Sequence, residues 1–441
     1  MRYAASVCTV LVGAMSCDYA PLPRLNLAGD APAGDAPAGV VSLAASPSVF
    51  VLHQNDTRDT TLSLTNGTGQ TISVSSFMVS GLNGGNMTFS ASTCAGQLAA
   101  GQSCSTTGHL VATATGQALF QVTMGAVSAS LSMTAMPACP ATCGPFGTTN
   151  CCASTVVAGN AIGATRAGDV FYRSHDNAAD ATYASTAFQA TVSDFRLDTY
   201  LVTVGRFRAF VNAGMGTSGT APAQGAGAHA RIAGSGWDMT WNTSLTAGTP
   251  MLVAAVKCNS TYQTWTDTVG PNDSLPMSCI TWFEAMAFCI WDGGYLPSDA
   301  EWNYAASGGS EQRPYPWSAS DSSTTIDCTY ANFFTNSPSG TYCVNGTTGA
   351  ANRVGSESPK GDGKWGHADL AGNLFEWNLD WYNTPYPGSC DDCANLTPAP
   401  TRVVRGGDFG SFAAFLRAAF GGVGTPSNRE YVIGVRCERT P

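Results

Sequence analysis

The chain has 441 residues, too many for one ordinary hydrophobic core, which points to two or three domains. It carries 20 Lys plus Arg against 30 Asp plus Glu, and only 11% of its residues are charged where about 25% is usual, so the balance argues against nucleic acid as a partner. Its 16 cysteines fall in short-range pairs that have no use in a reducing cytoplasm, and they imply disulfides and an oxidising compartment.

Residues 1–17 read as an export signal. Met1-Arg2 is a minimal basic start, and residues 3–15, with Val7, Val10, Leu11 and Val12, are apolar but too few to span a bilayer. Ala14-Met15-Ser16-Cys17 resembles a bacterial lipoprotein processing site, with Ala14 where such sites usually carry an aliphatic residue. The resemblance implies acylation of Cys17 and a cell-envelope protein anchored to a membrane rather than spanning it. Residues 18–40 contain the tandem Gly29-Asp-Ala-Pro-Ala, Gly34-Asp-Ala-Pro-Ala, which has too little apolar side chain to pack and reads as an extended tether.

From 41 to 137 the pattern becomes short runs of alternating polarity, such as Ser48-Val-Phe-Val-Leu52 and Thr60-Thr-Leu-Ser-Leu-Thr65. Turn formers such as Asn66-Gly67 and Gly84-Gly85 separate them. Period-two alternation at this spacing predicts an antiparallel β-sandwich. The run at 60–74 and Cys94-x9-Cys104 resemble immunoglobulin-like domains of bacterial surface proteins; that cysteine pair would contribute about 3 kcal/mol as a loop closure. No catalytic constellation lies here, and the expected role is a spacer or an adhesion module, with the spacer preferred. Residues 138–153 hold Cys139, Cys143, Cys151 and Cys152; the adjacent pair does not suit zinc, and two disulfides of undetermined connectivity are expected.

Residues 154–441 carry helix signals. Thr203 precedes Val204, Phe207, Phe210 and Val211 at helical spacing, with Gly214 beyond the end. Thr281-x-x-Glu284 has capping-box spacing, followed by Trp282, Ala285, Met286, Cys289 and Ile290 on one stripe before Gly293-Gly294. Ser298-x-x-Glu301 repeats the device, ending at Gly308-Gly309.

These paired helices, then Asp369-Leu-Ala-Gly-Asn-Leu-Phe-Glu376-Trp377, Arg405-Gly406-Gly407 and Gly434-Val-Arg-Cys437, resemble the formylglycine-generating enzyme (sulfatase-modifying factor) family over about two thirds of the chain. The resemblance implies an α+β fold of C-type-lectin-like kind, rich in irregular loops. It also implies a Cys289–Cys437 disulfide. By proximity alone, Cys258 with Cys279, Cys328 with Cys343 and Cys390 with Cys393 are the expected remaining pairs.

The 369–376 segment places an acidic oxygen at each end of a flexible loop, the hard-oxygen environment that calcium requires. The resemblance implies calcium ligands at the Asp369 and Glu376 side chains and the Gly372 and Leu374 carbonyls. A second family calcium site would start at Asn332 and the Phe333 carbonyl, with no evident later carboxylate in 341–350. The family's oxidases hold copper(I) with a Cys-x4-Cys pair after Arg-Gly-Gly, because a soft ion needs soft sulfur. Counted without a gap from Arg405, those positions are Leu416 and Gly421, so copper and catalysis by that pair are not expected. A related iron-dependent branch needs a His-x3-His spacing that the five histidines do not form.

Two functions follow. One is a non-catalytic module binding a peptide, glycan or envelope protein through its loops; the other is a formylglycine-generating oxidase acting on exported sulfatases. For the first, Trp282, Trp291, Trp302, Trp377 and Trp381 are expected to be mostly core, and Trp317 with the aromatics of 409–415 to be exposed.

Overall fold

The computed structural model describes residues 40–46, 48–81, 85–90, 92–94, 96–161, 169–318, 323–335, 340–383, 386 and 388–441. The expected signal segment, Cys17 and the Gly-Asp-Ala-Pro-Ala repeat lie outside the described residues. The fold is mixed α+β.

Ten strands precede the cysteine cluster: β1 (Val41–Ser46), β2 (Val49–His53), β3 (Thr57–Asn66), β4 (Ile72–Val74), β5 (Met78–Ser80), β6 (Gly85–Ser90), β7 (Gly96–Leu98), β8 (Ser103–Ala112), β9 (Gly116–Met124) and β10 (Val127–Met136). They form two four-stranded sheets, ordered β1-β3-β8-β6 and β2-β10-β9-β5, with a small β4-β7 ribbon. Alternate residues point inward, and Phe50, Leu52, Leu62, Leu110, Phe120 and Leu131 from the two sheets share one core. One pairing departs from the all-antiparallel expectation, because β2 runs parallel to β10. β1 and β2, though close in sequence, lie in different sheets, β1 antiparallel to β3 and β2 parallel to β10.

The remainder is built on four helices, α1 (Val204–Asn212), α2 (Thr249–Ala255), α3 (Trp282–Trp291) and α4 (Asp299–Ala306). Thr203 caps α1 by accepting from the Arg206 amide. Thr281 and Glu284 form a reciprocal capping box at α3, and Ser298 and Glu301 another at α4. Each box satisfies amides that the first helical turn would otherwise leave orphaned.

Ten further strands are short: β11 (Ser154–Val157), β12 (Phe171–Tyr172), β13 (Gln189–Thr191), β14 (Phe195–Asp198), β15 (Phe375–Trp381), β16 (Cys390–Asp391), β17 (Arg402–Arg405), β18 (Gly421–Gly424), β19 (Ile433–Gly434) and β20 (Glu438–Arg439). They make three sheets, β11-β14-β20, β12-β13-β16 and β18-β17-β15-β19. The largest core packs Phe207 of α1 and Trp282 and Phe288 of α3 against Trp377 of β15. Full burial of such a side chain contributes about 1.5–3 kcal/mol each.

Seven disulfides join Cys94–Cys104, Cys139–Cys152, Cys143–Cys151, Cys258–Cys279, Cys289–Cys437, Cys328–Cys343 and Cys390–Cys393. The pairs at 139–152 are nested, with Cys143–Cys151 inside Cys139–Cys152, which leaves no thiol there for zinc. Every cysteine among the described residues is therefore bonded to another. Cys289 and Cys437 are both fully buried, and their bond ties α3 to the strand end before β20.

Candidate functional site

β15 and β17 lie side by side with Glu376 opposite Arg405. Arg405 leads into Gly406 and Gly407, both at positive φ (96° and 74°), where a Cβ on Gly407 would stand 2.6 Å from the Leu416 side chain. Only glycine fits that turn. The fully buried Arg405 guanidinium donates to Asp299 Oδ1 (2.6 Å), the Tyr386 hydroxyl (2.6 Å) and the Phe420 carbonyl (3.0 Å). Burial opposes the charge on Asp299, but Arg405 holds its carboxyl below the ordinary range.

Gly421, on β18, sits opposite Arg405 in register and lines a cavity of about 350 Å³ together with Arg173, Phe188, Asp380, Trp381 and Tyr386. Leu416 has different surroundings: it is fully buried in a cluster with Tyr315, Ala331, Phe333 and Ala371. The structure thus sets the two positions in separate environments, one on a cavity wall and one inside packed side chains. Asp380 in the cavity is pushed up to about 7 by burial and by the charge of Asp299.

On the other side of the 408–421 segment, Tyr262, Tyr342, Asp408, Phe412, Phe415 and Tyr431 line a cavity of about 400 Å³. Tyr262 and Tyr431 stack with centroids 4.8 Å apart, and Phe412 and Phe415 are 48% and 41% exposed. Phe409 is buried beneath them, so the exposed aromatics expected in 409–415 reduce to two. Asp408 at the rim is pushed up to about 6 by burial, against hydrogen bonds from Gly410 and Ser411. Trp317 is half-buried, stacked between Tyr315 and Tyr330. Trp282, Trp302 and Trp377 are core residues, whereas Trp291 and Trp381 are half-buried.

The expected calcium ligands divide. Glu376 is fully buried, and both its oxygens accept from Arg436 (2.7 Å each), with a third bond from the Trp302 indole (2.7 Å). Its charge is already neutralised, and a cation would have to compete with a guanidinium for it. Asp369 has no such partner. One of its oxygens accepts from the Gly355 amide (2.6 Å), and burial together with the neighbouring Glu357 pushes its carboxyl up to about 8. Glu357 is raised by burial as well, and its Oε2 is buried without a partner, as is Oδ1 of Asn332. Gly372 and Leu374 are buried in the same loop, Gly372 packing on the Asn332 carbonyl, while the Phe333 carbonyl accepts from the Cys343 amide (3.1 Å). The donor set therefore fits a hard cation at Asp369, with Glu357 rather than Glu376 as the uncompensated second carboxylate.

A group that sequence reasoning missed is His229 with Glu301 and Glu438, all buried. His229 Nε2 lies 2.8 Å from Glu301 and 3.4 Å from Glu438. Its Nδ1 accepts from the Arg231 amide (3.1 Å), so the ring proton sits on Nε2 and points at the carboxylates. Burial and the neighbouring Glu301 push Glu438 well above the usual carboxylate range. His229 thus hydrogen-bonds Glu301, while both carboxyl oxygens of Glu438 are buried without a hydrogen-bond partner among the described residues. Glu301 was legible as a helix cap, but nothing local in the sequence joins it to His229 or Glu438. His367 is also a core residue, pushed down to about 3 by burial and by Arg436, and hence neutral.

A loop-rich α+β domain, closed by a disulfide from its third helix to its last strands and carrying two cavities about one thiol-free segment, defines the class of protein. The sulfatase-modifying factor enzyme 1-like domain matches residues 155–441, and the chain belongs to that family. It is 28% identical over 274 residues to a formylglycine-generating enzyme of Thermomonospora curvata, covering 57% of this chain and 83% of that one. It is 30% identical over 124 residues to an inactive C-alpha-formylglycine-generating enzyme 2 of Bos taurus, covering 27% and 39%. Among solved structures, PvdO from Pseudomonas aeruginosa aligns over 65% of this chain and 94% of its own, with 17% identity and a TM-score of 0.43.

Proposed function

We propose that the family domain of this protein binds a ligand without oxidising it. The observation that carries the reading is the state of sulfur: every cysteine among the described residues is in a disulfide, and Leu416 and Gly421 offer no donor atom. Copper(I) held by two thiolates has no place to sit on such a surface. The ligand is a peptide, a glycan or an envelope protein, docking on the loop surface at the aromatic cavity beside Phe412 and Phe415. Stacked tyrosines and exposed phenylalanines rimmed by a carboxyl suit that kind of surface.

In this reading the two-sheet N-terminal part is an immunoglobulin-like spacer, the family domain is C-type-lectin-like, and lipid on Cys17 holds the whole at the cell envelope. Calcium is a structural ion in the 369–376 loop, held by Asp369 with Glu357. The test exposes purified protein to copper(I) and to a Cys-x-Pro-x-Arg peptide under air and follows the peptide mass. No conversion beyond a no-protein control is expected, and no copper retained after desalting. Conversion above that control would establish the other reading, a formylglycine-generating oxidase, and overturn this one.

A further inference from the structure

The cleft between the sheets of the N-terminal part and the family domain is lined by three guanidinium groups and two carboxylates, those of Asp56 and Asp292. It has a volume of about 320 Å³, and its wall includes Arg58 of β3, Arg196 of β14 and Arg439 of β20, so it draws cations from both halves of the chain. The carboxylates nearby are already committed. Asp198 pairs with Arg206 (2.9 Å) and Arg439 (3.1 Å), and Asp292 pairs with Arg206 (2.6 Å), Arg439 (2.5 Å) and His53 (3.0 Å). Asp56 lies 3.7 Å from the other nitrogen of His53.

That leaves Arg58 and Arg196. Neither has a carboxylate in ion-pair contact among the described residues, and Arg196 spends its Nε and Nη2 on the Ser154 hydroxyl and carbonyl (3.2 and 2.7 Å). The Arg58 guanidinium has no hydrogen-bond partner among the described residues. Both are half-buried. Burial destabilises the charge on each, and the other guanidiniums add to it: Arg196 and Arg439 act on Arg58, and Arg439 acts on Arg196; Asp56 and Asp198 oppose this at Arg58, and Asp198 at Arg196, but the net effect still lowers both. A fold that brings like charges together in a partly dry cleft raises its own energy unless something negative joins them.

We propose that this cleft is a binding site for an oxyanion group, a phosphate, sulfate or carboxylate, clasped between Arg58 on one side and Arg196 on the other. Guanidinium forks match such groups with paired, charge-assisted hydrogen bonds. The cleft is roomier than a free inorganic anion needs, which leaves space for the molecule that carries the group. Because the two arginines belong to different halves of the chain, the anion also acts as a bridge between them. The site is separate from both cavities beside the 408–421 segment and does not depend on the ligand proposed for them.

Calorimetry and thermal melts of the full chain test this, with inorganic phosphate or sulfate titrated at constant ionic strength maintained by chloride. One saturable site and a melting temperature raised above the chloride control are expected. Arg58→Ala should weaken binding by about tenfold or more, the loss of one charged hydrogen-bonded contact, and Arg58→Lys should restore part of it. The Arg58 guanidinium has no ion-pair partner among the described residues and is repelled by Arg196 and Arg439, so the anion-free melt of Arg58→Ala should equal or exceed the parent's; if that variant fails to fold, Arg196→Met replaces it. A sulfated disaccharide binding more tightly than inorganic sulfate identifies the source as an acidic polysaccharide, and equal binding identifies a free anion. A response to chloride equal to that to phosphate and sulfate, or undiminished binding by the arginine variants, would overturn the proposal.

Discussion

Replacing Cys289 and Cys437 together by alanine removes a cross-link that spans 148 residues of sequence. On the chain-entropy account the released loop gives the unfolded state about 5 kcal/mol of freedom at 25 °C. Both sulfurs are fully buried, so each truncation leaves a void worth about another 1 kcal/mol, as for a deleted methylene. The expected loss is thus about 6–7 kcal/mol, as large as the whole stability of many domains. Removing Cys390 and Cys393, only 3 residues apart, is expected to cost about 2 kcal/mol on the same account. Urea denaturation followed by tryptophan fluorescence resolves the comparison, because all 10 tryptophans lie between 237 and 381 and report the family domain alone. If the short-loop variant loses as much stability as the long-loop one, loop closure is not what these bonds contribute and the reasoning fails.

Glu376→Gln should destabilise by about 3–5 kcal/mol in urea, since it strands the buried Arg436 charge, and Glu376→Gln with Arg436→Met should recover part of that. Thr281→Ala breaks the capping box of α3 and is expected to cost about 1 kcal/mol in the same assay, with helical circular dichroism otherwise retained. Burial and the neighbouring Glu357 push the Asp369 carboxyl up to about 8, against an ordinary value near 4. The raised folded value favours the protonated native state, so its contribution is complete below about pH 4 and is lost as pH rises through 8. Thermal melts at pH 5 and pH 8 should therefore differ less in Asp369→Asn than in the parent, and calcium at pH 8 should stabilise the parent more than the variant. Equal calcium responses would remove Asp369 from the site.

What the sequence made legible was local. Thr203, Thr281 and Ser298 announce helix starts because a capping bond joins residues three apart, and Gly214, Gly293 and Gly308 stand just past the helix ends. Alternation in 41–137 gave the inward faces of the strands, but period two carries no direction, so the parallel β2–β10 pairing was not readable. Long-range partners were equally silent. Nothing near Glu376 says that Arg436, 60 residues on, takes both its oxygens, and nothing near His229 points to Glu301 or Glu438. Counting along the chain from Arg405 named Leu416 and Gly421 as a pair, yet their surroundings depend on how the intervening turn folds, and it separates them.

The strand at Glu438–Arg439, two residues long, has more attachments than its size suggests. Cys437 before it is welded to α3, Glu438 closes the His229 core, and Arg439 grips Asp198 and Asp292. An exopeptidase trimming past this point would undo three separate fastenings within a handful of cleavages. Losing these two residues would therefore slacken three parts of the domain at once.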